Sequence, residues 1–320
     1  MSVFGSLKMM YWVGTTDTRW FEFLSRRPRD EVNFWQPSAR PAFENAPSGM
    51  PFLFKVKRPY NHIAGAGYFI MRSVLPLSLA WEIFGEKNGA ASLADLRELM
   101  GPLAGRNAAL SQITCQVIAN PIFFAQKDWL PDPPGWSSNI VRGKMYRTEE
   151  SDGARIWAHV RPLLAPGLEN QGEALDPSGM TVGEPAARYG ESVLMRPRLG
   201  QGSFRVVVTE AYQRKCAFTG ESTLLALEAA HIVPYAEEGA HDVRNGLLLR
   251  ADFHRLFDAG LVSVTPDLTI RVSPRIREAW FNGKAYYRMD GQPLSVTPAR
   301  PEMRPDPDRL HWHLTNRFQA

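Results

Sequence analysis

Apolar positions in this chain follow two different periods, and the change from one to the other divides it. In the N-terminal half they alternate. PFLFKVKRP sets Phe52, Phe54 and Val56 on one side of an extended segment and Leu53, Lys55 and Lys57 on the other, the period-two pattern of a strand. MMYWVGTTD, with Trp12 and Val13, reads as an edge or barrel strand, and RPRDEVNFWQPS as a polar turn leading into Val32, Phe34 and Trp35. YNHIAGAGYFIMRSVLP continues as a strand through a Gly-rich bend, and SQITCQVIANPIFF supplies another. Between these two, LSLAWEIFGEKNGAASLADLRELMG is helical, with Ser92 placed to cap its second part and Gly101 to end it. The economical reading is a small curved β-barrel with helices packed on it.

The C-terminal half is organised differently. LLALEAAHIVPY predicts a strand ending at a Pro turn, EEGAHDVRN a polar loop, and GLLLRADFHRLFDAGL a short strand running into a helix, in the order β, loop, β, α. Beyond it the pattern predicts a short helix, a turn, a brief strand at PLSVTP and a last helix from Pro307 or Asp308. Residues 163–201 are rich in Gly, Pro, Glu and small polar residues, which is linker chemistry. The expected α+β layout is therefore a first domain over 1–162, a connector over 163–201 and a second domain over 202–320. A length of 320 residues independently favours two domains.

Candidate chemistry concentrates in the second domain. His231, Asn245, His254 and Asp258 lie at spacings that suit a one-metal phosphodiesterase, the last two being one helical turn apart on one face. Phosphodiester hydrolysis needs a base for water, a cation to neutralise charge on the phosphoryl and leaving oxygens, and a scaffold that aims both. A neutral imidazole at His231 suits the base, since its unperturbed pKa lies nearest cellular pH. His254 and Asp258 suit the metal, and Asn245 suits fixing the His231 ring or the loop that follows it.

Those residues sit in the strings GSFR, YQRKCAFTG, AAHIVPYAEEG, NGLLL and DFHRLFDAGLVSV, which together resemble an HNH endonuclease of the ββα-metal fold from about Gly202 onward. The resemblance implies His231 as general base, Asn245 as its positioning residue and His254 as a metal ligand. It places Asp258 where some relatives, such as the colicin nucleases, carry a second helical His ligand. Two departures stand out. Ala230 occupies the position before the base where many relatives have a metal ligand, so either water or Glu228, two residues upstream on the same strand face, completes the shell. The two CxxC pairs that brace many HNH proteins are replaced by a lone Cys216, so no structural zinc is expected. Mg²⁺ or Mn²⁺ suits the oxygen-rich site.

The first domain resembles the PUA-like superfamily, in particular its EVE and ASCH branches with SRA domains more distant, through YWVG, NFW, RPYNHIAGAGYF and AWEIFG. A PUA-like module joined to an HNH nuclease implies a modification-dependent restriction endonuclease, of the kind called type IV, that reads modified cytosine of the 5-methyl or 5-hydroxymethyl type in phage defence. Inspecting such a base requires extruding it from the stack into a pocket. Trp12, Trp35 beside Asn33, and Tyr60 beside Asn61 are the pocket candidates. Arg205, Arg250 and Arg255, with Arg214 and Lys215, are the candidate phosphate contacts. His62, His159, His241, His311 and His313 read as surface or structural. The alternatives are a nucleic-acid-binding regulator whose nuclease is inactive, suggested by Ala230, and an RNA-directed enzyme.

Composition changes this little. The formal net charge of +4 favours an anionic partner only mildly. With two Cys in all, a disulfide scaffold is excluded. The chain lacks an apolar run of about 18 residues and a secretory h-region, so a cytoplasmic protein without membrane partners is expected. The substrate expected is double-stranded DNA carrying modified cytosine, and cutting both strands suggests a homodimer.

Overall fold

The computed structural model describes residues 8–37, 46–101, 112–133, 135–137, 139–169, 199–237 and 239–320. The chain divides into two compact units, Met1–Ser203 and Phe204–Ala320. Most of the expected connector, residues 170–198, lies outside the described residues.

In the first unit the elements run β1 (Met10–Thr16), α1 (Thr18–Leu24), β2 (Glu31–Gln36), β3 (Pro51–Val56), β4 (His62–Pro76), α2 (Leu77–Phe84), α3 (Leu93–Met100), β5 (Gln112–Phe123), β6 (Leu130–Pro131), β7 (Gly143–Arg147) and α4 (Ser151–Glu169). Seven strands form one sheet in the order β2-β5-β4-β3-β1-β7, with β6 on β4. The expected barrel is not closed. Among the described residues the sheet is open, with β2 and β7 at its edges.

Period two explains the two cores. Phe52, Phe54 and Val56 join Trp12, Trp20, Phe34 and Phe69 on one face. Leu53, with Tyr11, Val13 and Ile63, packs on the other face against Ile156, Trp157 and Val160 of α4. That second layer also covers the Lys55 side of β3. Lys55 is 4% exposed, and its Nζ lies 3.0 Å from Asp132 and 5.2 Å from the centre of the Trp136 ring. A buried ammonium is tolerable only with such partners.

The Gly-rich bend expected after Tyr60 is instead part of one 15-residue strand, β4. Its glycines serve close approach: a Cβ on Gly65 would come within 2.7 Å of the Ile122 carbonyl on β5. The helical stretch divides as its caps foretell, with Ser92 Oγ accepting the Asp95 N–H at 3.1 Å.

The second unit holds most of α5 (Gln201–Ala211), then β8 (Leu227–His231), β9 (Gly246–Arg250), α6 (Ala251–Asp258), β10 (Val262–Val264), β11 (Ile270–Val272), α7 (Arg275–Trp280), α8 (Lys284–Tyr287) and α9 (Pro307–Asn316). β8 and β9 form an antiparallel pair in which His231 faces Gly246 and Leu227 faces Arg250. The loop preceding β8 is tied to this hairpin at the buried Cys216, where the Ala217 N–H donates to the Leu248 carbonyl at 2.7 Å. The strand expected at PLSVTP is reduced to one bridge, Thr269 to Pro293. Among the described residues no helix is long and apolar enough to cross a membrane.

Candidate active site

The site is built where the β8–β9 hairpin meets α6. Strand alternation puts Glu228 and Ala230 on one face of β8. Ala230 is fully buried, while the Glu228 carboxylate reaches α6, with Oε2 2.6 Å from His254 Nδ1. One helical turn on, Asp258 Oδ2 lies 3.3 Å from His254 Nε2. His254 thus has a carboxylate at each ring nitrogen.

His231 ends β8. Its ring stacks on Phe204 of α5, with centroids 4.0 Å apart and planes 11° from parallel. Its Nε2 lies 3.1 Å from His241 Nδ1, and His241 itself stacks on Tyr235 at 4.7 Å. Burial, and then the charges that His241 and His254 would carry, depress the His231 pKa to about 4. Its ring is therefore neutral at ordinary pH, the form that can accept a proton.

Asn245 is fully buried and acts on the loop, not on the His231 ring. Its Oδ1 accepts the Val233 N–H at 2.9 Å, and its Nδ2 donates to the carbonyls of Val233 at 2.9 Å and Ala240 at 3.1 Å. Those bonds pin both ends of the segment that carries His241 to His231. Replacing Asn245 by Ala strands three backbone groups, each costing about 1–3 kcal/mol when buried without a partner. The expected result is a second unit destabilised by about 2–4 kcal/mol together with weaker cutting. Denaturant titration checks this, and an unchanged unfolding midpoint would show the loop to be held by other means.

Gly246 is not the tight-turn glycine that an Asn-Gly pair suggests, since its φ is −125°. A Cβ there would lie 2.4 Å from Val208 and 3.1 Å from Phe204. Glycine lets α5 press on the hairpin, and Phe204 reach His231.

His241 was missed in the sequence because a lone His in a polar loop, ten residues beyond His231, carries no periodic signal. Glu228 was only a weak suggestion from strand alternation; its contact with His254 is what the structure adds.

The candidate phosphate ligands differ in availability. Arg255 is exposed on α6. Arg250 is held bidentately by Asp252, at 3.0 and 2.6 Å, and lies 5.2 Å over the Phe253 ring. Arg205 donates to the Leu227 carbonyl at 3.4 Å. Arg214 is clamped by Glu210, at 2.7 Å.

In the first unit the pocket candidates have different partners. Asn33 and Trp35 converge on Asn88: the Asn33 amide donates to Asn88 Oδ1 at 2.8 Å, and the Trp35 indole to the Asn88 carbonyl at 2.8 Å. Trp12 lies in the cluster with Phe34 and Phe52. Tyr60 stands edge-on to Trp129, with centroids 5.2 Å apart, and Asn61 occupies a left-handed turn with φ 51°.

Among the described residues no three His, Cys, Asp or Glu side chains are already spread as a metal cage. The donor chemistry nonetheless fits a divalent cation: two carboxylates crowd one imidazole. Desolvation, reinforced by the Glu228 charge, pushes the Asp258 carboxyl above its ordinary range, a crowding that a cation would relieve.

A family model described as HNH endonuclease matches residues 216–265. That segment is an HNH endonuclease domain. Its matched span includes β8, the pinned loop, β9 and α6, and so every residue from Glu228 to Asp258 described above. No curated protein matches the chain. Among solved structures, an ASCH protein from Zymomonas mobilis is similar at 9% identity and a TM-score of 0.31, covering 46% of this chain and 94% of its own. A modification-dependent restriction endonuclease, TagI, is similar at 12% identity and a TM-score of 0.26, covering 95% of this chain and 82% of its own.

Proposed function

We propose that this nuclease cuts double-stranded DNA bearing modified cytosine, with the second unit hydrolysing the backbone and the first inspecting an extruded base. The observation that carries the hydrolytic part is the neutral His231 ring, oriented by Phe204 and His241, next to the group of Glu228, His254 and Asp258. If His231 donates Nε2–H to His241, its Nδ1 lone pair is left to take a proton from water. Asn245 holds the loop that keeps His241 in place. A divalent cation, Mg²⁺ or Mn²⁺, held by His254, Asp258 and Glu228, would neutralise charge building on the phosphate. Arg255, with Arg205, grips the backbone. A homodimer in the cytoplasm would account for cutting of both strands.

The inspecting role is supported by the aromatic face of the sheet. Gln116 pairs with Phe34 across β5 and β2, and Gln36 pairs with Thr114, so both glutamines share the face of Phe34, Phe52 and Trp12. They are 1% and 8% exposed, and the Oε1 of each lacks a hydrogen-bond partner. Buried acceptors left open are costly, and the exocyclic amine of cytosine is a donor that would satisfy them. Trp12 would stack on the base, while Asn33 and Trp35 brace β2 through Asn88, and Tyr60 and Asn61 line the β3–β4 turn.

Two experiments follow. Matched DNAs carrying cytosine, 5-methylcytosine, 5-hydroxymethylcytosine or its glucosylated form should be digested at different rates, fastest with a 5-methyl or 5-hydroxymethyl group; equal cutting of all four would remove the inspecting role and leave the nuclease. Arg255→Ala should weaken binding of modified and plain DNA alike and reduce the salt slope by about one. An unchanged slope would take Arg255 off the phosphate.

A further inference from the structure

Beyond the hydrolytic site, the second unit presents an aromatic pair with no structural use. At the end of α7, Trp280 is 61% exposed and Phe281 is 90% exposed. Phe281 also has φ 53°, in the left-handed region, which a bulky aromatic rarely adopts and Gly or Asn adopts easily. Phe281, the most exposed large apolar ring among the described residues, thus sits on a strained backbone position, where it buries almost nothing. Exposure and strain both oppose folding, and strained residues that persist cluster at functional sites.

The surroundings indicate the partner. Arg275, Arg277, Lys284 and Arg288 are exposed in the same segment, against the single carboxylate of Glu278. A patch meant for another protein's apolar face would gain nothing from these neighbouring cations. Apolar wedges flanked by Arg and Lys are how proteins open a base step while holding the phosphates beside it. The mount is rigid as well. Tyr286 of α8 packs edge-on against Phe253 of α6, with centroids 5.4 Å apart. The Tyr287 hydroxyl donates to the Ser273 carbonyl at 2.9 Å and accepts the Arg277 N–H at 3.0 Å. The tip is thereby braced to the helix that carries His254.

From this geometry we infer that Trp280 and Phe281 form a wedge that enters duplex DNA and unstacks a base step, with Lys284 and Arg288 on the flanking phosphates. The contact is separate from the base-inspecting face of the first unit and does not depend on it.

The test uses the full chain in EDTA, to withhold the cation proposed for cutting, with a labelled duplex of unmodified sequence carrying 2-aminopurine at successive positions. Wild-type protein should raise 2-aminopurine fluorescence at one or two steps, and Trp280→Ala with Phe281→Ala should abolish the rise and weaken binding about tenfold or more. Lys284→Ala with Arg288→Ala should flatten the salt dependence but leave the fluorescence rise at saturating protein. Phe281→Asn guards against a folding artefact: it relieves the left-handed strain, so its melting temperature should hold or increase while DNA affinity falls. Unchanged affinity and fluorescence in the aromatic variants would overturn the wedge. So would a dimer in sedimentation that these variants dissociate without loss of DNA affinity, since the patch would then join two copies of the chain.

Discussion

Replacing His231 by Ala is expected to slow DNA cutting by about 10²–10⁴-fold, the usual contribution of a positioned general base, with DNA binding retained. The ring makes no charged contact with DNA in its resting form, because its depressed pKa of about 4 keeps it neutral. That value also predicts the pH profile. A base whose pKa has fallen from 6.5 to about 4 stays competent as the medium turns mildly acidic, so the acid limb attributable to His231 should lie well below the ordinary imidazole range. The same shift affects stability. The unfolded chain protonates this His near 6.5 and the folded chain only near 4, so stability is fully present above 6.5 and declines as the pH falls toward 4. His313 behaves alike, its pKa also lowered to about 4 by burial, so His231→Ala should reduce the acid slope without removing it. A variant that still cuts at the wild-type rate would reassign the base. His241→Ala is the companion: it should lower the rate less than His231→Ala, since it removes the partner of Nε2 and leaves the acceptor in place.

What the sequence disclosed and what it hid separate along physical lines. The β, loop, β, α order around His231 and His254 was legible because turn residues, a Pro stop and a four-residue helical spacing are local, and the structure follows them. The caps at Ser92 and the start of α9 at Pro307 were legible for the same reason. Closure of the first unit was not legible. Alternation fixes which residues share a face, but whether the last strand meets the first depends on curvature that no short window encodes, and among the described residues the sheet is open. The burial of Lys55 was hidden because its partner Asp132 lies far along the chain. Within the site, alternation hinted at Glu228, yet only packing of α6 on β8 brings it to His254. His241 was invisible, being set beside His231 by a loop whose path depends on three hydrogen bonds from one buried asparagine. Asn33 and Trp35 looked like a polar-aromatic pair for a ligand, and the structure shows both engaged with Asn88, a residue 55 positions beyond Asn33.

The second large effect concerns His254. Its imidazole has Glu228 on Nδ1 and Asp258 on Nε2, so removing it takes away the group around which both carboxylates are arranged. His254→Ala should reduce cutting by more than about 100-fold, since even outer-shell partners of a metal ligand are worth 10–100-fold, and added Mn²⁺ should not restore it. Glu228→Gln and Asp258→Asn should behave differently from it and alike to each other, moving the Mn²⁺ concentration for half-maximal cutting upward by about 10–100-fold while leaving the saturated rate closer to wild type. The raised pKa of Asp258 adds a direction in pH. A carboxyl whose pKa is elevated loses its charge at higher pH than an exposed Asp, so protons compete with the cation earlier and the metal requirement should rise as the medium becomes acidic. Asp258→Asn should flatten that dependence. Full cutting by wild-type protein in EDTA, or a His254→Ala variant with an unaltered Mn²⁺ titration, would exclude this trio as the cation site and leave Ala230 as the sign of a nuclease that completes its metal shell elsewhere.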